Sequence, residues 1–251
     1  MSDRLSEFPP PIGPSEGSLL HRYLADRRFL LALPRAVGLQ ILHPTIAAAL
    51  VEHVPYRLWH HKRRTVTRMI ALAYRPRHPS HTIRFAHEHV KGRDDRGERY
   101  HALNPEVFHF QHATYVETLV TAINTFATPL SGTELDQLYR ECCDWYRIYG
   151  VSTRHMPATW PEFTDWFADT CATSLRLTSD GAALASQALR PDAWIPSLTP
   201  GFAVRSLHHE RTRALLDIEV GPLDRAAMRI YASAIRLGMS SRPPRRAMVR
   251  R

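Results

Sequence analysis

A chain of 251 residues is about what one hydrophobic core with short appendages can support, so two equal domains are not expected. Its 44% hydrophobic and 23% charged residues exclude a disordered or fibrous protein. The 33 Lys+Arg against 24 Asp+Glu leave a formal charge of +9, which suits a polyanion, a membrane surface or a propionate-bearing cofactor as partner.

Residues 1–17 form a polar, Pro-rich tail (Pro9, Pro10, Pro11, Pro14) without the apolar run of a secretory signal. The longest apolar stretches, 29–33 and 46–51, fall far short of the roughly 20 residues that span a bilayer, so a soluble, cytoplasmic protein is expected. Over 18–240, read as a single domain, apolar residues recur at helical rather than alternating spacing. The lone hairpin signal is Asp180-Gly181, and the chain therefore reads as all-α, a compact multi-helix bundle. A first helix is expected over 18–33. Pro34 with Arg35 opens a second, strongly apolar one to about Val51, which Pro44 breaks after His43. A third spans 56–74, with a densely basic middle, His60-His61-Lys62-Arg63-Arg64, and is ended by Pro76 and Pro79. Ser80 caps a fourth over 82–91, stopped by Gly92, and 93–99 is a solvated loop.

Asn104 with Pro105 opens a long helix ending before Pro129. Ser131-x-x-Glu134 is a capping box for a helix through Tyr149, and Thr159-x-x-Glu162 with Pro161 opens another through about Leu177. Shorter helices follow over 182–189, 206–220 and 223–237. The tail, 241–251, holds five arginines and two prolines and offers weak contact to nucleic acid or anionic lipid. No repeat recurs at a fixed period, which excludes solenoids and propellers.

Three cysteines, the adjacent Cys142 and Cys143 and the remote Cys171, make neither a disulfide framework nor a zinc spacing and fit a reducing cytosol. HExxH, GxSxG, GxGxxG and Walker motifs are all missing. Histidine is abundant, 15 in all, often in near-pairs such as His60/His61, His87/His89, His109/His112 and His208/His209. A helical di-iron site needs two Glu-x-x-His motifs, and the chain has one, Glu106-x-x-His109. On the helix read over 82–91, Arg84, His87 and Lys91 are spaced i, i+3, i+7 and share a face. One imidazole between two cations suits haem, whose iron takes an axial His and whose propionates take Arg or Lys. The same spacing also describes a solvated basic face with an incidental histidine. The basic run 57–68 is open to two readings as well, a nucleic-acid helix or a solvated face, and no aromatic interleaving favours the first.

Taken in order, Leu39-Gln40-Ile41-Leu42-His43-Pro44, Arg63-Arg64-Thr65, Arg84-Phe85-Ala86-His87-Glu88-His89-Val90-Lys91-Gly92 and Phe110-Gln111-His112-Ala113-Thr114 resemble the oxygenase family of the fungal MpaB protein and the latex-clearing rubber oxygenases. Pro129-Leu130-Ser131, Tyr149-Gly150-Val151 and Met156-Pro157-Ala158-Thr159 continue the likeness, which covers about 17–177. The resemblance implies a globin-like helical core with additions and haem b held by the histidine of an Arg-x-x-His motif, here Arg84 and His87, with His87 as the iron ligand. It sets Arg64-Thr65 where rubber oxygenases have Lys-Thr near the haem. That is a departure, because Arg does not deprotonate to ligate. The family's arginine one turn earlier falls on His61, a second departure that makes His61 a distal hydrogen-bond donor or a further iron ligand. His43 and His112 match other recurrent histidines that line or brace the cavity. The implied activity is dioxygen-dependent oxidation or cleavage of a carbon–carbon double bond in an apolar, isoprenoid-like molecule. A haem-binding or sensing protein without turnover and a basic helical binding module are the alternatives.

Overall fold

The computed structural model describes residue 15 and residues 17–74 and 79–240, and for 79–82, 239 and 240 the backbone alone. The tails expected over 1–17 and 241–251 therefore lie largely outside the described residues, as do the stop at Pro76 and any capping by the Ser80 side chain.

The first break in the chain comes earlier than Pro34. Ser18 caps a single-turn helix, α1 (Leu19–Tyr23). The buried Asp26 then opens α2 (Arg27–Gln40), its carboxylate accepting from the Arg28 amide at 2.8 Å and from the Arg28 guanidinium. Pro34 stands inside α2, where it removes one backbone hydrogen bond at a cost of about 3 kcal/mol. Phe29, Leu30, Leu33, Val37 and Leu39 are buried around it, and at about 1.5–3 kcal/mol each their burial outweighs that cost. The break expected after His43 is present. Pro44 is the first residue of α3 (Pro44–His53), and the two helices are bent by 103°. The Leu42 carbonyl freed at the bend accepts the Arg176 amide at 3.0 Å.

Helix α4 (Leu58–Tyr74) faces the core with Leu58, Trp59, Lys62, Val66, Ile70 and Ala73. Next, α5 (Pro79–His87) starts at Pro79, one residue ahead of Ser80, and stops at His87, four residues short of Lys91. The stretch expected as helix end and loop is a small hairpin. β1 (Lys91–Arg93) pairs antiparallel with β2 (Arg99–His101), with Gly92 opposite Tyr100. Three-residue strands are too short for an alternation to be read, and a β-carbon at Gly92 would press on the ends of the Tyr100 and Glu52 side chains, which would have to shift.

The long helix α6 (Pro105–Phe126), capped by Asn104, packs along α2 and buries Phe110, Ala113, Val116, Leu119 and Ile123. α7 (Gly132–Arg147) opens with the expected Ser131–Glu134 capping box, and α8 (Trp160–Ser174) with Thr159. Asp180-Gly181 is no turn: it lies in the first turn of α9 (Ser179–Leu189), where a β-carbon on Gly181 would stand 2.5 Å from the Ile41 carbonyl. A 3₁₀ turn (Ile195–Leu198) follows, then α10 (Gly201–Leu207) and α11 (Glu210–Leu215). These two split the helix expected over 206–220 at His208-His209, because the His209 ring accepts the Arg211 amide at 3.1 Å and caps α11. α12 (Pro222–Ser240) covers a small second apolar cluster that includes Leu31, Phe126 and Leu207. Apart from the hairpin the described chain is all-α, and no single helix in it is long and apolar enough to cross a membrane.

Candidate functional site

His87 is the last residue of α5, and its Nδ1 stands 2.8 Å from the Ile83 carbonyl one turn back. With Nδ1–H donating to that oxygen, Nε2 carries the ring's lone pair, the arrangement that orients a metal-ligating imidazole. Phe108 of α6 meets the ring edge-on at 5.4 Å and leans in turn on Tyr146 and Tyr149. Burial lowers the His87 pKa, against the hydrogen bond to Ile83, which raises it.

His61 on α4 is pushed down to about 3 by burial first, and then by the positive charges of Lys62, Arg64 and His87. His61 and His87 are thus electrostatic neighbours, and both rings are neutral at neutral pH, the form that binds a metal. Arg64 and Thr65 are placed differently. The exposed Arg64 donates to the Tyr56 hydroxyl at 2.8 Å and lies 5.3 Å over its ring, while the Thr65 hydroxyl donates back to the His61 and Lys62 carbonyls of its own helix. Arg84 is exposed one turn before His87. Lys91 does not share their face: because α5 ends at His87, it stands exposed on β1, with its carbonyl 3.2 Å from His53 Nε2.

Lys62 was hidden in the basic run. It is 1% exposed, and its ammonium donates to Gln40 Oε1 at 2.6 Å. Gln40 Nε2 donates to Thr114 Oγ1 at 2.7 Å, and Thr114 to the Gln111 carbonyl, so one polar chain joins α4, α2 and α6 behind His61. Burial alone lowers this lysine to about 7. The signal was its position: Trp59, Lys62, Val66 and Ile70 follow helical spacing, so Lys62 falls on the apolar stripe.

His112 is buried on α6 with Nε2 3.2 Å from the Cys142 carbonyl and its ring among Trp145, Tyr146 and Tyr149, so it braces α6 against α7. Burial, and then the nearby His109, hold it at about 3. Next to it the Tyr146 hydroxyl is buried without a hydrogen-bond partner, on the wall that Phe108 shares with His87. His43 precedes Pro44 and lines a separate cavity of about 430 Å³ between the hairpin, α6 and α8. His101 and His109 line it too, and each of the three has one buried ring nitrogen without a partner. Glu106 stands beside His109 there, but among the described residues no three His, Cys, Asp or Glu side chains are arranged to hold a metal ion. All three cysteines are buried and free, and burial raises their pKa values, which leaves no reactive thiolate.

A family model described as ER-bound oxygenase mpaB/B'/Rubber oxygenase, catalytic domain, matches residues 21–237. No curated protein and no solved structure matches the chain.

Proposed function

The chain belongs to this family of mpaB-type and rubber oxygenases, and on that premise we propose that it is a haem b-dependent oxygenase. Its substrate is an apolar, isoprenoid-like small molecule, oxidised with dioxygen at a carbon–carbon double bond. The observation that carries the haem reading is His87, half-buried and neutral, with Nδ1 tied to the Ile83 carbonyl and Nε2 left to ligate. Bound haem supplies the iron at which dioxygen is activated; the protein supplies orientation and a dry wall.

Each residue then has a physical role. His87 holds the iron, and the Ile83 carbonyl fixes its tautomer and ring plane. Phe108 closes the side of the ring against water. Arg84 stands one turn away as a cation for a propionate, and His112 keeps the helix carrying Phe108 in register with α7. His61, neutral and within electrostatic reach of His87, would offer a donor or a lone pair to the bound group. Arg64 is turned to Tyr56 and must leave that contact to act there.

The electrostatic effect of His87 on His61 also favours a second reading, a protein that would hold haem through both histidines and not turn over. Haem-supplied protein is expected to show a strong Soret band, lost in His87→Ala. Full haem retention in that variant overturns the ligand assignment. A Soret shift with carbon monoxide after reduction marks an open or displaceable position. If the shift appears only in His61→Ala, the second reading holds.

A further inference from the structure

The cavity of about 430 Å³ between the hairpin, α6 and α8 takes no part in the haem reading, and its lining has two layers. The inner one holds His43, His101 and His109, of which His109 is only 3% exposed. His43 Nδ1, His101 Nε2 and His109 Nδ1 are buried, and none finds a hydrogen-bond partner among the described residues. A buried polar atom left unpaired costs free energy, so three around one space favour an occupant that pairs them. Burial lowers His43 and His109 to about 4, which keeps both rings neutral at pH 7, each with a lone pair to offer. The outer layer is acidic. Asp94, Glu98 and Glu106 line it against one guanidinium, that of Arg99. Asp94 also accepts the Arg96 and Glu98 amides within the hairpin. Arg176, close enough to act on His43, is held by both oxygens of Asp95, and that pair adds no net charge. Three carboxylates against one guanidinium leave a locally negative mouth on a chain whose formal charge is +9.

We propose that this cavity binds a small organic polyamine, its ammonium groups meeting the carboxylates at the mouth and its inner N–H groups donating to the imidazole nitrogens behind them. The volume is that of a small-molecule site rather than of a single ion, and no three ligating side chains among the described residues are arranged for a metal. Trp166, packed on His109 with ring centroids 4.4 Å apart, adds an aromatic ring to the lining, the kind of surface that favours a cation. An anionic ligand would be repelled by the same carboxylates. A neutral polyol would pair the imidazoles but leave the excess of negative charge unanswered. Neither the iron ligand His87 nor His61 lines this space, so the proposal and the haem reading stand or fall separately.

Isothermal titration calorimetry of the full chain with 1,4-diaminobutane, spermidine, xylitol and succinate tests this. Saturable binding is expected for the two amines and not for the polyol or the dianion. It should weaken by about tenfold or more in the Glu98→Gln, Glu106→Gln variant, whose altered side chains are exposed and leave the core untouched. The Asp136→Asn, Glu219→Gln variant removes the same charge from exposed positions outside the cavity lining and should bind within about twofold of the wild type, since distant surface charges are screened. Equal weakening in the two variants is an effect of overall charge and overturns the proposal, as does the lack of saturable binding for both amines. Saturable binding of xylitol that is unchanged in Glu98→Gln, Glu106→Gln overturns the amine and reassigns the cavity to an uncharged polyol. Saturable binding of succinate overturns the electrostatic argument itself.

Discussion

Replacing Lys62 with Met, a side chain of similar length without charge, should flatten part of the pH dependence of stability. The ammonium titrates near 10.5 in the unfolded chain and at about 7 when folded, lowered by burial. Between those values the unfolded chain binds more protons, so stability rises with pH through the window, is full above 10.5 and is lost as pH falls to 7. Each unit corresponds to about 1.4 kcal/mol, and the whole displacement to at most about 5 kcal/mol working against the fold at neutral pH. The hydrogen bond to Gln40 does not remove that burden, so a buried charge exchanged for an apolar group is expected to be neutral or stabilising. Because Gln40 loses its donor in the single variant, Lys62→Met with Gln40→Leu is the cleaner comparison. Urea unfolding at pH 7.0, 7.5, 8.0 and 8.5 measures both proteins, and their difference cancels the histidines and cysteines they share. The variant's advantage should shrink by roughly 1.5–2 kcal/mol across this range. A constant difference would mean that Lys62 keeps an ordinary pKa and would refute a buried ammonium in this polar chain.

Gly38 lies on α2 where a β-carbon would stand 2.7 Å from His208 Nδ1 and 2.8 Å from Thr212 Cγ2. Gly38→Ala should gain about 1 kcal/mol of helix propensity but lose more to overpacking, lowering the melting temperature, and His208→Ala should restore part of it; a melting temperature that rises in Gly38→Ala alone defeats the argument. Burial holds His112 and His208 at about 3 and His109 at about 4, against 6.5 unfolded. Their contribution is complete above pH 6.5 and lost as pH falls toward 3–4. By pH 5 the three together remove about 6 kcal/mol, comparable to the whole stability of many domains. Circular dichroism should therefore show acid unfolding near pH 5, and an intact helical signal at pH 4 would refute it.

The elements most legible in the sequence were those whose ends carry their own hydrogen-bond chemistry. Asn104, Ser131 and Thr159 each cap a helix as their spacing announces, because a cap is a local interaction within four residues. Pro44 broke a helix for an equally local reason. Pro34 did not, since its effect depends on how much apolar surface the surrounding helix buries against α6, a long-range quantity. The same distinction explains Gly92 and Gly181. Both look like stop or turn residues in isolation, but Gly181 is crowded by the Ile41 carbonyl and Gly92 by the ends of the Glu52 and Tyr100 side chains, all from other segments. At the site, Arg84 and His87 share a turn as their spacing requires, and the helix stops at His87, short of Lys91, which pairs with His101 in the β1–β2 ladder. Lys62 stood on the apolar stripe all along. Its neighbours mask it, because a lysine in a run of five basic residues has the pattern of a solvated face.

Helix α6 connects these pieces. Phe108 on one side closes against His87, while His109, the next residue, lines the cavity shared with His43 and His101. Tyr146 touches both, its ring 6.2 Å from Phe108 and 5.5 Å from His109, and His112 packs on Tyr146 one turn further along. His87 and the cavity therefore stand against two faces of one aromatic wall built from α6 and α7. A substitution that shifts Tyr146 must move Phe108 and His109 together, because close-packed rings transmit displacement rather than absorb it. The unpartnered hydroxyl of Tyr146 sits within that wall, so truncating it to Phe removes a buried polar atom without changing the ring, and it separates the hydroxyl's role from the packing that joins the two sites.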